Sequence, residues 1–289
     1  TSASSGAVTI DNTHPTSTTA VLAVGGSGNG NNGDAVTMTL NPSETVGTPT
    51  CTFTSGGAGM AGTVSYSTTG DDSHVASVTV ADGDTDGAVA FSCTYSDSAG
   101  NAIASAITSA SSGAVTIDNT HPTSTAVTIA VTGGGDANDA DVVTVTLDPS
   151  ETVGTPVCTF SDGSGAMEDT SVTYGTTGVD SHTAAVTVHN DDDDGQIGFS
   201  CTYSDSAGNA LASAITAITT GSNIDVDNSH PSISNVVADW GAYLNAAEDN
   251  SDGTITITTS GVENGETVTI TGNGDFPTDT CSITDNVCT

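Results

Sequence analysis

The side chains able to do chemistry here are almost all carboxylates. The chain holds 35 Asp and Glu against no Lys or Arg, a formal charge of −35 over 289 residues. The acids are grouped with Asn. Asp11–Asn12, Asp118–Asn119 and Asp227–Asn228 each open an Asp-Asn-Thr/Ser-His-Pro stretch. Asp97 precedes Asn101, and Asp205 precedes Asn209, in two copies of Asp-Ser-Ala-Gly-Asn. Asp82, Asp84 and Asp86 alternate with other residues, and Asp191, Asp192, Asp193 and Asp194 run together. Glu44 and Glu151 sit in matching Pro-Ser-Glu-Thr-Val stretches. Hard oxygen donors with no basic partner are what Ca²⁺ takes, six to eight at a time. The competing reading is that Asp and Asn are ordinary turn residues that hydrogen-bond their own backbone. No complete EF-hand loop follows Asp82.

This charge excludes some functions. Nucleic acid and bare anionic membrane both need cationic side chains on the protein. So much like charge also opposes compaction, which favours a bound-cation requirement. His14, His121 and His230 each precede Pro, and their place in a repeat explains them better than catalysis. No Gly-x-Ser-x-Gly nucleophile elbow occurs. An acid repeated in a repeated unit, as Glu44 and Glu151 are, reads as structural. The chain is expected to be non-enzymatic. Trp240 and Tyr243 read as core anchors rather than a sugar-stacking pair.

Six cysteines fall as Cys51 and Cys93, Cys158 and Cys201, Cys281 and Cys288. The first two pairs occupy equivalent places in successive repeats, and one bridge per repeat is the simplest connectivity. Zinc is the weaker reading, because no Cys-x-x-Cys is present and no His lies at ligand spacing. Disulfides point to an oxidising, extracellular compartment.

The elements that must position these groups are strands. Short runs of alternating Val/Ile and Thr/Ser are bounded by Gly, Asp, Asn and Ser. In the first repeat the expected strands are 19–24, 35–40, 49–53, 63–67, 74–80, 88–95 and 102–117, the last broken at Ser111-Ser112-Gly113. Their counterparts in the second are 142–147, 156–160, 171–174, 182–188, 196–203 and 211–218. Strands at 254–259 and 266–271 follow. The repeat step is about 107 residues, the distance from Asp11 to Asp118. About seven strands per repeat is the count of an immunoglobulin-like sandwich. The expected architecture is all-β: tandem immunoglobulin-like sandwiches in an elongated rod. Its parts are 1–10 (a last strand of a preceding repeat, or a donor strand), 11–117, 118–226, and a partial third unit, 227–289. Thr1–Thr18 matches Thr108–Thr125 letter for letter, as expected of a piece of a longer repetitive polypeptide or a processed subunit.

That topology gathers the acids. The seam, the end of the second strand and the last hairpin turn share one end of a sandwich. Asp11, Asn12, Glu44, Asp97 and Asn101 should meet there. The turn at 82–87 lies at the other end, against the next seam. Asp82, Asp84 and Asp86 should therefore join Asp118, Asn119, Glu151, Asp205 and Asn209. A third joint should collect Asp191, Asp192, Asp193, Asp194, Asp225, Asp227 and Asn228.

The Asp-Ser-Ala-Gly-Asn turn and the Ile-Asp-Asn-Thr-His-Pro seam resemble those of tandem bacterial Ig-like repeats in large surface adhesins. Leu244-Asn245-Ala246-Ala247-Glu248 and Gly261-Val262-Glu263-Asn264-Gly265-Glu266 are similar to a related repeat of secreted biofilm adhesins. The resemblance implies a cell-surface stalk whose partners are neighbouring repeats, with a homopolymer as an extension. The alternatives are a pilus-like or surface-layer subunit, formed by strand donation, and a carbohydrate-binding module.

Overall fold

The structure is a computed structural model. It describes residues 8–26, 29–69, 72–178, 180–241, 253–262, 264–271 and 278–289. Tyr243, 244–248 and Glu263, named above, lie outside the described residues, as do 1–7 of the opening segment. Every regular element described is a strand.

The first unit holds β1 (Ser17–Val24), β2 (Ala35–Pro42), β3 (Thr50–Ser55), β4 (Ala58–Gly59), β5 (Ser65–Thr68), β6 (His74–Thr79), β7 (Gly87–Thr94) and β8 (Thr116–Ile117). They form two antiparallel sheets, ordered β1-β2-β6-β5 and β4-β3-β7-β8. This is the pairing of an immunoglobulin-type sandwich, four strands facing a sheet built on the third and last long strands. Alternation fixes the inner face. In β2, Val36, Met38 and Leu40 are fully buried while the intervening Thr37 and Thr39 are half-buried. Across the sandwich they share one core with Phe53, Phe91 and Ile117. A one-residue slip would turn every one of these side chains to water.

The second unit repeats this with β9 (Ser124–Val131), β10 (Val142–Pro149), β11 (Val157–Ser161), β12 (Thr173–Thr176), β13 (His182–Thr187), β14 (Gly195–Gln196), β15 (Gly198–Thr202) and β16 (Asp225–Val226). Its larger sheet runs β12-β13-β10-β9, and β11 pairs with β15. Val143, Val145 and Leu147 take the places of Val36, Met38 and Leu40. The third unit holds β17 (Ser232–Ala238), β18 (Ile255–Ser260), β19 (Thr267–Ile270), β20 (Asp279–Ser282) and β21 (Val287–Cys288). Its described core is small, with only Ile257, Ile283 and Cys288 buried.

The expected strand at 102–117 is not one. Only Thr116–Ile117 forms a strand, with isolated bridges at Ala102, Ile107 and Ser112. Ser111 leaves the β7 sheet and binds the β1 edge, its N–H donating to the Ala20 carbonyl at 2.7 Å and its Oγ at 2.8 Å. The segment thus changes sheets. Residues 211–218 behave alike, with one bridge at Ile215.

Cys51–Cys93, Cys158–Cys201 and Cys281–Cys288 are bonded. Cys51 and Cys93 face each other on neighbouring strands, as do Cys158 and Cys201. These two bridges therefore each staple one sheet rather than joining two, unlike the inter-sheet bridge of antibody domains. From the opposite sheet the hydroxyls of Tyr66 and Tyr174 accept the N–H of Cys51 and Cys158, both at 2.9 Å.

A candidate metal centre at the seams

Two carboxylate trios form, in equivalent places. Ligand oxygens of Asp11, Glu44 and Asp97 lie within 4.8 Å of one another, and so do those of Asp118, Glu151 and Asp205. Each trio draws on the seam, the chain after the second strand and the last hairpin turn.

Local chemistry aims each acid. Asp97 and Asp205 are both 8% exposed, and each organises its own turn. Asp205 Oδ1 accepts the N–H groups of Ala207, Gly208 and Asn209 at 2.8–2.9 Å, and Oδ2 accepts Asn209 Nδ2 at 2.8 Å. Asp97 accepts the N–H and Nδ2 of Asn101 at 2.8 Å. These bonds, the Asn101 side chain foremost, hold the Asp97 carboxyl below its ordinary range. Asn101 and Asn209 orient the trios without joining them: their Nδ2 groups also donate to the carbonyls of Asp11 and Asp118, at 3.0 and 2.8 Å. The histidines brace the same corner. Nδ1 of His14 and His121 donates to the carbonyls of Ala102 and Ala210, at 2.7 and 2.6 Å.

The glutamates are the unsatisfied members. Burial, then Asp11 and Asp97, push the Glu44 carboxyl up. Burial, then Asp205, Asp118 and Asp86, push up Glu151. Asp86 belongs to the first unit and lies outside the trio, so only its charge reaches Glu151 from across the joint. A divalent cation would relieve both glutamates.

Other expected ligands go elsewhere. Asp84 is 6% exposed and spends its oxygens inside its own unit, accepting the N–H groups of Ala61 at 2.8 Å and Ala81 at 2.9 Å. Asp192 does the same with Glu168 and His189. Asp82, Asp191 and Asn12 are exposed and belong to neither trio. Asp193 accepts the Ser164 hydroxyl, and Asp225 lies in β16 opposite Gln196. Asp227 and Asn228 border an open cleft with Asn138, Ser229 and His230. Among the described residues no third trio forms there. Asn119 and Asn228 enter the joints as hydrogen-bond donors. Their buried Oδ1 atoms accept no hydrogen bond among the described residues. Sequence reasoning missed Asp162, which accepts the N–H groups of Ser164, Gly165 and Asp193. The structure buries His74 at the start of β6. Trp240 is half-buried and packs on Gly253.

No family model matches the chain, and no curated protein matches it significantly. Solved structures similar to it include the I67–I69 fragment of the titin I-band, at 9% identity and TM-score 0.40, covering 95% of this chain and 86% of that one. A tetra-tandem repeat from the extending region of a large adhesion protein matches at 16% identity and TM-score 0.32, over 94% of this chain and 64% of that one. The eight N-terminal Ig domains of Down syndrome cell adhesion molecule match at 14% identity and TM-score 0.32, over 74% and 25%.

Proposed function

We propose that this chain is a non-enzymatic segment of an extracellular rod, a stalk of a surface adhesin or filament, whose joints are stiffened by calcium. The observation that carries the reading is the repetition. The same three carboxylates converge within 4.8 Å at the seam end of both complete units, in a chain with no Lys or Arg to neutralise them. One ion at the second trio would draw ligands from the seam and the second unit, with Asp86 of the first alongside. Bending the joint would then carry the Asp86 charge away from the ion. One bridge per unit supports an oxidising, extracellular setting. The test is the unfolding midpoint with calcium and with chelator, both at high ionic strength, since salt screens general repulsion and leaves specific sites. Calcium should raise the midpoint, and Glu151→Gln should remove most of the rise.

A second reading, a subunit that assembles by strand donation, is favoured by one contrast. Val8 and Ile10 are 90% and 80% exposed, whereas their sequence equivalents Val115 and Ile117 are 4% and 1% exposed as part of the first unit's sandwich. Sedimentation across a concentration series tests it, with assembly lost on Val8→Asp.

A further inference from the structure

The two joints share a device that involves neither trio as ligand. At the first, the Asn119 N–H donates to Asp86 Oδ1 at 2.7 Å, and the Thr120 hydroxyl to Asp86 Oδ2 at 2.6 Å. Asn119 Nδ2 reaches the carbonyls of Ala81 and Asp84, both at 3.1 Å. At the second joint the Asn228 N–H donates to Asp194 Oδ1 at 2.7 Å, and the Ser229 hydroxyl to Asp194 Oδ2 at 2.5 Å. Asn228 Nδ2 reaches the carbonyls of His189 and Asp192, both at 2.9 Å.

The turn that receives these donors is rigid. Asp84 and Asp192 are buried and clamp it from within, so the two carbonyls stand at a fixed spacing. Gly87 and Gly195, directly after the receiving aspartates, take φ of +132° and +141°, which glycine alone adopts without strain. A Cβ on either would also meet the backbone of Gly56 or Gly163, at 2.9 and 2.8 Å.

We propose that the seam Asn-Thr/Ser and the acidic turn of the unit before it are a matched docking pair, a latch that sets the joint without any bound ion. The seam side presents one backbone N–H, one carboxamide NH₂ and one hydroxyl. The turn side presents two carbonyls and, two residues after the second, one carboxylate. Asp11-Asn12-Thr13 carries the same seam residues as Asp118-Asn119-Thr120, and its Asn and Thr are exposed. The partner this face fits is another unit of the same kind, offering a turn of that form. The side chain of Asn119 is the positioning group, and Asn119→Asp, which removes the NH₂ and adds charge, is as damaging as Asn119→Ala.

The experiment uses the full chain in chelator at high ionic strength and reads joint order from residual dipolar couplings of the first and second units. The native chain should give one shared alignment tensor. Asn119→Ala and Asn119→Asp should give two, with Asn119 amide exchange about tenfold faster, while the unfolding midpoints of the units hold. Glu151→Gln should keep the shared tensor. One shared tensor in both Asn119 variants would overturn the latch, and so would two tensors in the chelated native chain. These arms contain no calcium, so their failure is separate from failure of the calcium reading. In a second arm, a copy of residues 11–107 is placed ahead of the chain, so that 1–10 follow it as 108–117 follow the native copy. Asn12 amide protection should rise to that of Asn119, and an Asp86→Ala change in the added copy should abolish the rise. An Asn12 amide left unprotected beside the native copy would also overturn the docking pair.

Discussion

The seams at Asp11 and Asp118 have identical residues and different neighbours. At both, the unit's own loops close a carboxylate trio within 4.8 Å. Only the second is clasped by a described unit. There Asn209 is 5% exposed, where Asn101 is half-buried, and Gly208 backs onto the Asn31 side chain of the unit before it. Glu151 feels three carboxylates where Glu44 feels two, the extra one being Asp86. Each unit therefore builds its own site, and the neighbour adds a lid, one charge and the latch. Stability in such an array is close to a sum of unit terms plus joint terms.

The sharpest way to break this comparison is to damage one unit. Replacing Cys158 and Cys201 together by Ser reopens a loop spanning 43 residues, at a cost of about 4 kcal/mol from loop-closure entropy. Calorimetry should find the second unit's transition lowered and the first unit's unmoved. If both fall together, the units are not independent. Next comes Asp205→Ala, which removes the carboxylate acceptor from the N–H groups of Ala207, Gly208 and Asn209 and one of two acceptors from Asn209 Nδ2. It should cost about 3 kcal/mol, and Asp97→Ala should lower the first unit in the same direction. The cation term should be smaller and uneven: Glu151→Gln should remove more of the calcium-induced midpoint rise than Glu44→Gln, because only Glu151 has Asp86 beside it. Equal losses would detach the site from the joint.

The smallest effect is in pH. The Glu44 and Glu151 carboxyls are raised above their ordinary 4.5. In chelator they therefore add stability as pH falls toward that value, and that stability is lost as pH rises through the raised value. Asp97 and Asp194 are lowered from 3.8, so their contribution is lost as pH falls below it. The unfolding midpoint in chelator should rise on mild acidification and then drop. Calcium should flatten the rise, since it replaces the proton between the carboxylates.

Much of this was legible beforehand, for identifiable reasons. Strand β2 declared itself because its alternation is strict and one face is fully buried. The trios were legible because sandwich topology alone puts the seam, the second strand's end and the last hairpin turn together. Asp84 was not legible. In Asp82-Gly83-Asp84-Thr85-Asp86 the alternation suggests one chelating face, but the turn folds the middle acid inward as its own brace and leaves only Asp86 at the joint. The sheet change after Ile107 was hidden too. It depends on Ser111 finding the Ala20 carbonyl 91 residues away, a partner no local pattern reveals.

Calcium held between the seam acids is put to the test by the unfolding midpoint of the full chain with calcium against chelator at high ionic strength, repeated with Glu44→Gln and Glu151→Gln combined. A clear calcium-dependent rise in the native chain, largely absent from the double variant, is the predicted result. An identical midpoint with calcium and with chelator would contradict it, leaving the sheet bridges, the two cores and the seam latch to hold the array.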